Sequence, residues 1–181
     1  MEINEKNYNF NREAFVQANY IGSINFCPFC GAPIGYLGEK DKILKYDTNN
    51  LNKEALNIID HAVKLEIFNG DFYKKASLLA KSEKIRDMFN ALSKIEYMHA
   101  KIHKHIGGFN ETPILRNMDY SKYDTDKVLL EMACKREKHA VEYYKKYINK
   151  IQDESVREIF EVLSRIEKEH IELTKKGENL S

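Results

Sequence analysis

From about residue 50 onward, apolar residues recur at alternating spacings of three and four, the period of a helix with one buried face. Four stretches carry the pattern. Residues 52–81 put Leu56, Ile59, Val63, Glu66, Gly70, Tyr73, Ser77 and Ala80 on the inward stripe, and residues 82–106 put Ile85, Phe89, Leu92, Glu96, His99, His103 and Ile106 there. Residues 126–151 contribute Leu130, Cys134, Glu137, Val141, Tyr144, Ile148 and Ile151; residues 153–176 contribute Val156, Phe160, Leu163, Glu167, His170 and Thr174. Between the second and third stretches, residues 106–125 hold Gly107-Gly108 and Pro113 and little periodicity, so they read as a connection long enough to cross a bundle from end to end. Ser82 and Asp153 stand where the second and fourth helices start, positions that want an N-cap oxygen.

The halves of this pattern are copies. At an offset of 71, residues 57–105 align with residues 128–176 without a gap, and 15 of 49 positions are identical. The identities include Glu66/Glu137, Tyr73/Tyr144, Phe89/Phe160, Leu92-Ser93/Leu163-Ser164, Glu96/Glu167 and His99/His170. A duplicated helical hairpin with a long crossover predicts an all-α fold, a four-helix bundle with pseudo-two-fold symmetry.

The polar members of the stripes change the picture. Glu66, Glu96, His99, Glu137, Glu167 and His170 all fall on faces that are otherwise mostly apolar. A buried carboxylate is expensive unless paired, protonated or bound to metal, and four together would repel one another. Two divalent cations offset that charge. One Glu from each of two helices, with Glu-x-x-His from each of the other two, is the ligand arrangement of a carboxylate-bridged dinuclear centre. Glu66 to Glu96 spans 30 residues, as does Glu137 to Glu167, so each pair returns to one height in antiparallel helices. Surface residues of a charged bundle would explain one Glu-x-x-His pair, but not six polar residues in register. Oxygen-rich ligands with one imidazole per metal suit iron or manganese.

Tyr73 and Tyr144 follow Glu66 and Glu137 by two turns, placed either to donate a hydrogen bond to a carboxylate or simply to pack the core. Gly70, one turn from Glu66, would leave room for a small oxidant; its repeat mate is Val141, so that opening would be one-sided. Cys134 reads as a small core residue, and His61, His105 and His139 as surface or edge histidines. His103 has Thr174 as its repeat mate, which argues against a symmetric ligand role.

Composition narrows the class. The net charge is +1, with 31% charged residues of interspersed sign, which predicts neither a nucleic-acid nor a membrane surface. No apolar run nears the roughly 20 residues that span a bilayer, and no apolar stretch follows the polar amino terminus, so no secretory signal is expected. Three Cys do not make a disulfide framework, and the expected location is a reducing cytoplasm. The chain divides into residues 1–48, a small module and linker around Cys27-Pro28-Phe29-Cys30, and residues 49–181, the bundle.

With Glu66 and Tyr73, Glu96-x-x-His99, Glu137 and Tyr144, and Glu167-x-x-His170 in that order, residues 50–176 resemble the rubrerythrin branch of the ferritin-like superfamily. The resemblance implies a ferritin-like bundle holding two non-haem iron ions, with manganese or zinc as substitutes. It implies that one glutamate pair, Glu96 and Glu167 or Glu66 and Glu137, bridges the irons and that the other is terminal. The preferred assignment has Glu96 and Glu167 bridging and Glu66 and Glu137 terminal, with one histidine, His99 or His170, on each iron. Cys27 and Cys30 look like one knuckle of a rubredoxin-like module, which normally has two. They could bind iron or zinc with Cys from a second chain or with a His, or remain as a free or redox-active dithiol.

The implied activity is reduction of hydrogen peroxide, or of dioxygen, to water in oxidative-stress defence, with Tyr73 or Tyr144 delivering protons. The implied partners are an electron-donor protein such as a rubredoxin or reductase, and a second copy in a homodimer, with helix swapping open. The alternative is a ferroxidase or iron-binding ferritin-like protein. One departure bears on that choice: rubrerythrins typically carry a further Glu three residues after the third-helix ligand, where this chain has Ala140, and Asn69 in the other half. Metal analysis of Cys27→Ser against the wild type tests the amino-terminal module, with loss of one ion per chain expected of a thiolate site within one chain and of one ion per two chains where the site is shared.

Overall fold

Each helix begins where a short polar side chain or a distant carboxylate takes up free backbone N–H groups. The computed structural model describes residues 51–123 and 125–177; the amino-terminal module, with Cys27 and Cys30, lies outside them. Within these residues the chain forms α1 (Lys53–Leu79), α2 (Glu83–Ile106), α3 (Asp126–Tyr147) and α4 (Glu154–Gly177), and no strand. The Asn52 side chain accepts the N–H of Ala55 at 2.8 Å, and Asp153 accepts that of Val156 at 2.9 Å. Ser82 occupies the N-cap of α2 but makes no capping bond through its side chain. Instead the N–H groups of Lys81 and Ser82 both donate to the carboxylate of Asp126, at 2.7 and 2.8 Å. The first residue of α3 is thereby fastened to the α1–α2 turn.

That fastening fixes the path of the crossover. The α3 start lies at the end of the bundle where α1 finishes, whereas α2 finishes at the opposite end, its Ile106 packed with Ile58, Ile59 and Ile151. The connection therefore runs the length of the bundle, and Tyr120 from it packs edge-on against Phe72 of α1. Helix α3 stops earlier than its periodicity predicts. A three-residue 3₁₀ turn, Ile148–Lys150, follows it, and Ile151 then reaches the core from extended backbone.

The hairpins α1–α2 and α3–α4 pack along their lengths and join through α1 against α3 and α2 against α4. The predicted inward stripes are buried almost throughout. Most of their apolar residues fall in two large clusters related by the sequence repeat. One is built on Phe72, Tyr73, Phe89, Leu92 and Leu130, the other on Ile59, Tyr144, Phe160, Leu163 and Ile166. The polar residues of the stripes lie between them. Asp126→Ala should lower stability by about 1.5–3 kcal/mol, the range for hydrogen bonds to a charged group, measured by urea unfolding of the full chain.

Candidate metal centre

Glu66 comes from α1, Glu96 and His99 from α2, Glu137 from α3, and Glu167 and His170 from α4; none is more than 1% exposed. The helical i, i+3 relation places each Glu-x-x-His pair on one face, and the antiparallel hairpins bring all six together. Both imidazoles turn Nδ1 toward the carboxylates. His99 Nδ1 lies 3.1 Å from Glu167 Oε1 and 3.9 Å from Glu66 Oε2. His170 Nδ1 repeats this at 3.2 Å from Glu96 Oε1 and 3.9 Å from Glu137 Oε1, and also lies 3.1 Å from Glu167 Oε2.

The donor atoms form two overlapping groups, each within 4.8 Å: Glu66, Glu96, His99 and Glu167, and Glu96, Glu137, Glu167 and His170. Glu96 and Glu167 are common to both. Much of this donor set has no hydrogen-bond partner in the protein: Glu66 Oε2, both oxygens of Glu96, Glu137 Oε2, Glu167 Oε1, both ring nitrogens of His99, and His170 Nε2. Leaving a buried polar atom unsatisfied costs about 1–3 kcal/mol, and more when it is charged. Converging, unpartnered oxygens with one imidazole per group are what two divalent cations require, so the residues fit a dinuclear centre.

The family model for rubrerythrin matches residues 129–177, which hold nearly all of α3 and the whole of α4, including Glu137, Tyr144, Glu167 and His170. Over these residues the chain is similar to the rubrerythrin family, and the all-helical bundle with its buried Glu and His residues is compatible with that likeness. No curated protein and no solved structure matches the chain.

In the bundle the two tyrosines act across the repeat. The Tyr73 hydroxyl on α1 donates to Glu137 on α3, and the Tyr144 hydroxyl on α3 donates to Glu66 on α1. These crossed bonds also show that α1 and α3 run antiparallel. Both phenols are pushed well above their ordinary pKa, by burial first and then by the carboxylate each faces, so both keep their protons.

The opening expected at Gly70 is closed by a neighbour. A Cβ there would stand 2.9 Å from the ring of Tyr97, so the glycine admits that ring rather than an oxidant. Tyr97 is held over it by donating to Asp71 at 2.6 Å, and Ser93 donates to the Gly70 carbonyl at 2.9 Å. Cys134 packs with Val141 and Ile171, and His61, His105 and His139 are exposed. Ala140 is fully buried among apolar residues, so no fifth carboxylate approaches from α3 at that position.

Sequence reasoning missed two neighbours of the centre. The Asn69 amide sits beside Glu96 and helps to hold down its pKa. His103 Nε2 is 2.7 Å from the Tyr144 hydroxyl. The available signal was the break in the repeat at each position, Asn69 against Ala140 and His103 against Thr174.

Without metal, protons must supply the missing positive charge. Burial, then repulsion from Glu167 and Glu96, pushes the carboxyl of Glu66 well above its ordinary value of 4.5. Burial and Glu167 do the same to Glu96, and burial with Glu96 and Glu167 to Glu137. Burial also raises Glu167, but His170 and His99 outweigh it and hold this carboxyl below the usual range. Burial opposes charge on His170, yet Glu167 and Glu137 lift it to about 9. Above the ordinary carboxyl value the folded state therefore binds more protons than the unfolded chain, and stability falls as pH rises. The stabilising contribution of Glu167 is lost only on acidification below that range. Thermal unfolding of metal-free protein should move to lower temperature from about pH 5 to pH 9, the window set by the raised carboxyls and by His170. Metal loading should flatten that dependence.

Proposed function

We propose that the protein is a di-iron oxidoreductase that reduces hydrogen peroxide to water. The observation that carries this reading is the pair of overlapping four-residue groups sharing Glu96 and Glu167 in a fully buried bundle centre. Glu66 and His99 would hold one iron, Glu137 and His170 the other, and Glu96 and Glu167 would span both. Two ferrous ions bound there would supply the two electrons that convert peroxide and two protons to two waters.

The chain's own residues support the remaining requirements. The apolar clusters on either side keep bulk water from the centre, and this strengthens every electrostatic contact inside it. Tyr73 and Tyr144 hold protons on hydroxyls aimed at Glu137 and Glu66, where they could serve proton delivery to the centre. An electron-donor protein of the rubredoxin or reductase kind would return the centre to its ferrous state. Among the described residues no helix is long and apolar enough to cross a membrane.

Anaerobic loading with Fe²⁺ should give about two ions per chain, the stoichiometry of this ligand class. Peroxide should then oxidise them rapidly, with turnover when a reductant is supplied. Glu96→Ala and Glu167→Ala should each abolish paired binding, measured by metal analysis and by the absorption of the oxidised centre. Unchanged binding in both variants would sink the dinuclear reading. Rapid oxidation by dioxygen with accumulation of many ferric ions per chain would replace peroxide reduction with iron storage.

A further inference from the structure

His103 is fully buried one turn beyond His99 on α2, outside the six-residue set. Its Nε2 lies 2.7 Å from the Tyr144 hydroxyl oxygen, and that same hydroxyl donates to Glu66. A phenol has one proton. With Glu66 ionised on a metal, Tyr144 gives that proton to the carboxylate, so the proton between Tyr144 and His103 must belong to the imidazole. His103 then donates from Nε2 to the phenolic oxygen. Its Nδ1 is left bare, and that atom has no hydrogen-bond partner. The ring is packed edge-on against Phe160, with centroids 5.2 Å apart, and stacks on Tyr144, so it has little freedom to turn away.

The other half of the repeat lacks this device. Thr174 stands in place of His103, and its hydroxyl is committed to the Ile171 carbonyl of its own helix at 2.9 Å. Tyr73 is packed between the rings of Phe72 and Phe89, at centroid distances of 5.3 and 5.7 Å, and its hydroxyl is engaged with Glu137. The Tyr144 hydroxyl is thus held from two sides, by α1 and by α2. Helix α2 also carries His99, which belongs to the same donor group as Glu66.

We propose that His103 is a positioning residue that orients Glu66 through Tyr144 and makes the metal position built on Glu66 and His99 the tighter of the two. This rests on the dinuclear reading of the centre. The two halves are then near-identical in ligands and unequal in support, so the first ion enters at Glu66 and His99.

The test is anaerobic titration of the full chain with Co²⁺, followed by visible absorption and native mass spectrometry. The wild type should take up two ions in two resolved steps. His103→Leu should weaken the first step by about 10–100-fold, the usual effect of removing a residue that orients a ligand. His103→Gln, whose amide can still donate, should recover most of that loss, and Thr174→Val should leave both steps unchanged. Long-range proton–nitrogen spectra of the Zn²⁺-loaded wild type should show His103 protonated at Nε2 and bare at Nδ1. That measurement decides the hydrogen-bond assignment even if His103→Leu fails to fold.

Proton on Nδ1, wild-type-like binding by folded His103→Leu, or equal losses in the Leu and Gln variants would each overturn the proposal. Uptake of fewer than two Co²⁺ by the wild type would overturn the dinuclear reading beneath it.

Discussion

Four carboxylates buried in a bundle centre cannot all stay charged without positive partners, and the organisation of this molecule follows from that constraint. Within the protein the available partners are two imidazoles and two phenols. The imidazoles lie within about 3 to 4 Å of the carboxylate oxygens, and the phenols donate one bond each to Glu66 and Glu137. Glu96 still accepts no hydrogen bond at either oxygen, although His170 Nδ1 lies 3.2 Å from one of them. Protons on raised carboxyls answer the deficit in one way, and two divalent cations answer it completely. The apolar clusters on either side sharpen the choice, because they exclude the water that would otherwise share the charge.

Duplication supplies the symmetry of the answer, and divergence between the copies supplies its chemical character. The ligands, the tyrosines and the aromatic pair Phe89 and Phe160 are the same in both hairpins. Around them the copies differ: Gly70 admits the Tyr97 ring where the other half has Val141, Asn69 lies beside Glu96 where the other half has Ala140, and His103 reaches Tyr144 where the other half has Thr174. Each difference lies next to the centre and outside the donor set. A centre with equal ligands and unequal surroundings can hold two ions alike in kind but not in affinity.

Much of the architecture was legible because burial leaves a periodic trace. Glu66, Glu96, His99, Glu137, Glu167 and His170 stood out as polar residues on apolar stripes, and the stripes proved to be buried. Other features have no such trace. Asp126 reads in sequence as a helix-start residue of α3, yet it also holds the α1–α2 turn, a contact across 45 residues. Gly70 reads as open space, but whether a missing side chain leaves a hole depends on what a different helix puts there. The crossed tyrosine bonds follow from the separation of α1 and α3, which periodicity along one helix cannot express.

The sequence by itself determined the four helices, the faces they bury and the repeat that relates them, because helical spacing and hydrophobic burial are properties of a chain read locally. It also determined which side chains could serve as ligands, since their register within each hairpin is set by residue counts. Only the tertiary structure decided that Glu96 and Glu167 belong to both donor groups, that each tyrosine serves the opposite helix, and that His103 stands behind Tyr144. Those relations depend on distances between helices, and such distances are fixed by how the whole core packs.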